Sequence, residues 1–137
     1  MADAVVDASV WVSRFVTHDA HHAASVRWLA ETTSVDGLLA APALLLPEVA
    51  GPIARITKNP RLARRVVSRV LRVGGVRIVS IDRDLAEGAA RLAADLRLRG
   101  ADAVYVALAR RLGLPLITLD AEQLERGASV VAVRRPS

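Results

Sequence analysis

The sequence predicts an α/β protein built on a mostly parallel sheet. Three observations carry that expectation. Short apolar or β-branched runs alternate with longer helical patterns, at connection lengths that suit βαβ units. Two of the runs, in "AVVDASVWV" and "LPLITLDAEQL", pass straight into an aspartate, Asp7 and Asp120. Glycines at 74–75, 100 and 113 stand where helices are expected to stop.

The expected strands are 4–8, 37–41, 76–81, 114–119 and 129–133, each a run rich in Val, Ile or Leu. The expected helices are 20–33, 43–57, 60–73, 83–98 and 101–112. Helix 60–73 is amphipathic, with Leu62, Val66, Val70 and Val73 on one stripe and Arg61, Arg65, Arg69 and Arg72 recurring on the other. Helix 83–98 opens on Asp82, Asp84 and Glu87, where acids meet the positive end of the dipole. Helix 101–112 is apolar almost all round until Arg110, so it is expected to be largely buried. Pro47 suits the first turn of helix 43–57. Pro52 calls for a helix start or a kink, because an interior proline costs about 3 kcal/mol or more. The tail "RRPS" is expected to fray.

At 137 residues the chain is read as one domain, 1–137, large enough to bury a core. Cysteine is absent, which excludes disulfides, thiolate chemistry and zinc–thiolate sites. No apolar stretch is clean enough to span a membrane: the best, "GLLAAPALLLPEVAGPIA", carries Glu48 and is broken by Pro42, Pro47, Gly51 and Pro52. The segment "MADAVVDAS" has no basic n-region, so no signal peptide is read and a cytoplasmic location is expected. Net charge is +5, and of 19 basic residues only Lys58 is lysine. Arginine forks suit phosphate and carboxylate. The excess fits a polyanionic partner, and it equally fits an arginine-rich genomic composition.

Four acids are candidates for chemistry. In a parallel α/β sheet, ligands bind outside the carboxyl ends of the strands where strand order reverses. Asp7 and Asp120 occupy such ends. Asp102 opens the buried helix, and Glu48 lies between apolar neighbours in "PALLLPEVAGPIA". Each also has a plain structural use: Asp7, Asp102 and Asp120 as caps, Glu48 in a first helical turn. Buried carboxylates are costly unless paired or bound to a cation. A cluster of four calls for neutralisation, which basic side chains or a hard divalent cation can supply; Mg²⁺ or Mn²⁺ matches oxygen-only ligands.

With those residues in view, the chain resembles a PIN-domain ribonuclease, and more narrowly the VapC toxins of type II toxin–antitoxin systems. "VVDASVWV" resembles the family's opening strand, with its acid at Asp7 and its hydroxyl residue at Ser9. "APALLLPEVAGPIARI" resembles the second motif, with its acid at Glu48. "GADAVYVALARRLGLPLITLDAEQL" resembles the third and fourth motifs, with Asp102, Thr118 and Asp120. The resemblance implies a five-stranded sheet in order 3-2-1-4-5 flanked by helices. It implies Mg²⁺- or Mn²⁺-dependent cleavage of RNA, a homodimer, and inhibition by a VapB-type antitoxin.

Ser9 and Thr118 are expected to hydrogen-bond the motif acids and fix their rotamers. Arg61, Arg65, Arg69 and Arg72 suit an RNA-backbone track, an acidic antitoxin tail or simply a solvated helix face. His18 and His22 stand one helical turn apart, yet "HDAHH" reads better as a helix start than as a metal site. Trp11 and Trp28 read as core or dimer-interface residues. Asp95 with Arg91, Arg97 and Arg99 reads as an ordinary charged face. A receiver-type phosphoaspartate protein would need a late strand-end lysine, and a haloacid-dehalogenase-like phosphatase would need D-x-D where this chain has Asp7-Ala8-Ser9. The alternative of another kind is a non-catalytic RNA- or protein-binding module that retains an acidic metal site.

Overall fold

The computed structural model describes residues 3–34 and 37–137. Five strands form one parallel sheet: β1 (Ala4–Val6), β2 (Leu39–Pro42), β3 (Val76–Val79), β4 (Leu116–Ile117) and β5 (Val133–Arg134). Their order is β3-β2-β1-β4-β5, as the resemblance implied. Val5 lies between Ala40 of β2 and Leu116 of β4, so strand order reverses at β1. β1, β2 and β4 are fully buried runs, whereas the edge strands β3 and β5 are only partly covered.

Seven helices fill the connections among the described residues: α1 (Ala8–Phe15), α2 (His22–Ser34), α3 (Leu45–Thr57), α4 (Pro60–Arg72), α5 (Arg83–Leu96), α6 (Gly100–Leu112) and α7 (Ala121–Arg126). α1 packs on α2 and α3, α3 on α4, and α5 on α6. The right-handed rule for parallel connections expects α1–α4 and α5–α7 on opposite faces, because the chain reverses its direction of travel across the sheet after β3. α6 packs on β1, β2 and β4, and its Ala103, Tyr105, Val106, Leu108 and Ala109 are wholly buried. Trp11 and Trp28 are core residues.

The strands are shorter than the sequence suggests, and the first difference bears on function. Residues 4–8 were expected to be one strand, but the strand stops at Val6 and α1 begins at Ala8. Asp7 is the N-cap, with its carboxylate accepting the Ser9 amide at 3.0 Å. Gly100 does not end a helix: α5 stops at Arg97, whose left-handed backbone (φ 56°) does the work expected of glycine, and Gly100 begins α6. Pro47 is the third residue of α3, within the first turn, whose amides have no helical acceptor. Pro52 sits inside α3, which continues through it to Thr57. Its missing N–H leaves the Glu48 carbonyl without the usual helical donor. At Gly75 (φ 87°) a side chain would collide with the Gly37 carbonyl, so glycine permits the turn that sets β3 beside β2.

Candidate active site

Parallel pairing brings the carboxyl ends of β1 and β4 together: Val6 is in register with Ile117, and the Asp7 amide donates to the Ile117 carbonyl at 2.9 Å. Asp7 therefore leaves the sheet beside the turn that carries Thr118 and Asp120. Asp102 enters from the first turn of α6 and Glu48 from the first turn of α3. Asp7, Glu48 and Asp102 line one cavity of about 420 Å³, shared with Ser9 and Pro52. Asp120 is not in that wall; it caps α7 by accepting the Gln123 amide at 2.8 Å. Asp102 is not an N-cap, a position held by Arg99.

The electrostatics are those of crowded carboxylates. Burial pushes the Glu48 carboxyl above its usual range, and the charges of Asp7 and Asp102 push it further; the nearby Tyr105 hydroxyl and the charge of Arg99 pull the other way. Asp102 is raised by burial and then by Asp120, with Arg99 offsetting in part. Tyr105 is fully buried, and its hydroxyl faces Glu48 and the Ala8 backbone without a hydrogen bond of good geometry. Its own ionisation is suppressed by burial and by the charges of Asp7 and Glu48, so it remains a donor.

One consequence is measurable. A carboxyl whose folded pKa lies above its unfolded value costs stability at neutral pH, and the cost disappears as pH falls through the folded pKa. Glu48→Gln removes it. The metal-free variant should melt higher than wild type at pH 7, by roughly 1–4 °C, and the gap should close on acidification. A thermal melt series from pH 4 to 7.5 checks this; a variant that melts lower at pH 7 would refute the sign.

Gln123, which sequence reading did not single out, joins the constellation. It is fully buried. Its side-chain amide donates to Asp7 Oδ1 and to the Asp102 carbonyl, both at 3.3 Å, and its Oε1 accepts from the Thr118 hydroxyl at 2.6 Å. Its backbone amide is the one capped by Asp120. One residue thus touches three of the four motif acids. Thr118 spends its only proton on Gln123, so Ser9 Oγ donates across the 3.4 Å gap to Thr118. Ser9 Oγ also accepts the Leu119 amide, and Thr118 Oγ1 accepts the Asp120 amide. The two hydroxyls brace the backbone around the acids; the contact from residue 9 to the Asp7 carboxylate comes from its backbone amide.

Arg99 was read with Asp95 as part of a charged face. It turns the other way instead, with Nε 3.0 Å from Asp102 Oδ2 and a terminal nitrogen 3.0 Å from Asp120 Oδ2. Asp19 and His21 also line the cavity. Asp19 Oδ1 accepts from the Ser13 hydroxyl and the His21 amide, and His22 Nδ1 is bonded to the Ser13 carbonyl, so "HDAHH" is a pinned turn leading into α2. Arg61, Arg65, Arg69 and Arg72 are exposed, and none of them lines the acidic cavity.

The donor set fits a hard divalent cation: oxygen ligands only, in a cluster where Glu48 and Asp102 are raised in part by the charges of their acidic neighbours. Asp7 has one protein hydrogen bond on each oxygen and room for a further acceptor contact on both. Among the described residues, however, no three acidic or histidine side chains already stand in a ligating arrangement.

The PIN domain model matches residues 4–128. The chain belongs to the PIN domain family. No curated protein matches the sequence at a significant level. Solved structures share the fold. VapC20 of Mycobacterium tuberculosis, described as a sarcin–ricin-loop-cleaving toxin, superposes with a TM-score of 0.76 at 22% identity, over 93% of this chain and 95% of that one. FitAcB of Neisseria gonorrhoeae gives 0.72 at 19% identity, over 96% of each chain. VapBC2 of Rickettsia felis, bound to a fragment of promoter DNA, gives 0.71 at 11% identity, over 98% and 99%. No helix among its described residues is long and apolar enough to cross a membrane.

Proposed function

We propose that this PIN domain is a divalent-metal-dependent endoribonuclease that acts as the toxin of a type II toxin–antitoxin pair. The observation that carries the reading is the convergence of Asp7, Glu48 and Asp102 on one cavity at the switch point of the sheet, with Asp120 adjoining through Arg99. Asp7, Glu48, Asp102 and Asp120 would hold Mg²⁺ or Mn²⁺, directly or through water. A cation so held supplies water activation and charge stabilisation at the phosphoryl oxygen. The protein's part is placement. Gln123 and the Ser9 amide fix the Asp7 carboxylate, and Asp120 is fixed by the α7 cap.

The assay is cleavage of a mixed single-stranded RNA pool by antitoxin-free protein in Mg²⁺ or Mn²⁺, with EDTA and Asp7→Asn beside it. Cutting that needs both the metal and Asp7 supports the nuclease. Folded protein that binds RNA without cutting any of it moves the reading to a binding module. A cytoplasmic location and a homodimer belong to the same proposal, and sedimentation tests the second.

The antitoxin would sit on the opposite flank of α1. Phe15 and Arg69 are shared by two adjoining depressions of about 180 and 240 Å³, lined by α1 and α2 on one side and α3 and α4 on the other. The Arg14 and Arg69 guanidinium groups stand 5.1 and 5.4 Å from the Phe15 ring centroid. An apolar floor with arginine rims suits an amphipathic antitoxin segment with acidic flanks. Arg65 and Arg69 serve that groove in this reading, and Arg61 and Arg72, outside its lining, serve the RNA backbone. Phe15→Ala and Arg69→Glu should each weaken the complex with the co-expressed antitoxin by about tenfold or more, read by titration calorimetry. Unchanged affinity in both would remove the antitoxin from this groove.

A further inference from the structure

Arg99 is the N-cap residue of α6. A positive charge there meets the positive end of the helix dipole, the wrong end for a cation. What compensates is the pair of acids it spans, one on α6 and one at the start of α7. The guanidinium bonds one oxygen, Oδ2, of each carboxylate and so bridges the two acids. The Arg99 side chain is 70% exposed, against 13% for Asp102 and 23% for Asp120. Little packing holds it, so the ion pairs are its main restraint, and solvent screening keeps such pairs weak enough to open.

We infer that Arg99 is a tethered cation that occupies the Asp102–Asp120 side of the acidic site between metal-binding events and must withdraw for a divalent ion to bind. The inference rests on the metal-site reading above. Two of the four carboxylates, Asp102 and Asp120, are turned onto the Arg99 guanidinium. That closure gives the site a threshold. A site held closed for about 80–90% of the time binds its ion about five- to tenfold more weakly than an open one. Metal loading would therefore respond to the free divalent-cation level.

The test is Mn²⁺ binding to metal-stripped protein, by calorimetry and by the EPR signal of free Mn²⁺. Four proteins are compared with wild type: Arg99→Gln, Arg99→Lys, Arg126→Gln and Asp7→Asn. Arg126 pairs with Glu122 at 3.7 Å and controls for simple loss of a nearby positive charge. Arg99→Gln should bind Mn²⁺ about five- to tenfold tighter than wild type, Arg126→Gln within about twofold, and Arg99→Lys between the two, because lysine keeps the charge but lacks the fork. In parallel, the Arg99 side-chain N–H resonance should move on addition of diamagnetic Mg²⁺. Arg99→Gln binding no tighter than Arg126→Gln, or more weakly than wild type, overturns the inference while leaving the metal site standing. No Mn²⁺ binding that depends on Asp7, in wild type or in Arg99→Gln, overturns the metal reading and this inference together.

Discussion

Asp7→Asn should abolish metal-dependent cleavage while leaving the fold in place. Asp7 is 6% exposed, leads out of the central strand and lines the cavity with Glu48 and Asp102. Loss of one charged ligand removes several kcal/mol of transition-state stabilisation. A loss of about 4 kcal/mol corresponds to about a 10³-fold fall in rate. The fold should survive because the asparagine oxygen still accepts the Ser9 amide and caps α1. Relief of repulsion on Glu48 offsets the weakened bond from Gln123. Single-turnover cleavage with saturating Mn²⁺, alongside circular dichroism and a thermal melt, reads both halves. Residual activity within tenfold of wild type, in protein that melts normally, would remove Asp7 from the machinery.

Gln123→Leu should damage both stability and activity although the residue is none of the four acids. The side chain is fully buried and saturated by its partners. Leucine fits the volume but strands the Thr118 hydroxyl and the Asp102 carbonyl. It also removes a donor from the Asp7 carboxylate. Buried polar groups left unpaired cost about 1–3 kcal/mol each, more where a charge is involved. The expected loss is about 2–4 kcal/mol in denaturant unfolding. Activity at low temperature, where the variant is still folded, should fall by about 10- to 100-fold through misplacement of Asp7. Gln123→Glu should be worse for stability, since it sets a further carboxylate against Asp7 where no cation faces it. A Gln123→Leu protein as stable as wild type would show that the amide only fills space.

The acids were legible because their signal is local. A strand that ends on an aspartate places that aspartate at the sheet edge, whatever the rest of the chain does. Glu48 and Asp102 showed as carboxylates within apolar runs, where a charge is expensive. The first strand was overread for an equally local reason. "DASVWV" is rich in β-branched and aromatic residues, and only the cap at Asp7 turns it into a helix. Pro52 was expected to mark a start or a kink; it is not a start, since α3 already runs from Leu45 and continues through it to Thr57.

Gln123 and Arg99 were not legible. In sequence, Gln123 is one polar residue in a short polar turn. Its burial depends on α7 folding back over the ends of β1 and α6, a matter of which segments meet. Arg99 had Asp95 four residues before it and Asp102 three residues after it, and both are reachable on a helical surface. Arg97, with its left-handed backbone, ends α5, and α6 then starts at Gly100, so Arg99 falls between two helices. It is directed to the site acids rather than to Asp95.

The sequence by itself determined the alternation of strands and helices, the strand-end acids, and the exclusion of thiol chemistry. These follow from residue type and short-range periodicity. Tertiary structure alone decided that Asp7, Glu48 and Asp102 share one cavity, that a buried glutamine ties the acids together, and that an arginine bridges Asp102 and Asp120. Those facts depend on contacts between residues as far apart as 7 and 123, and no local pattern encodes the distance between them.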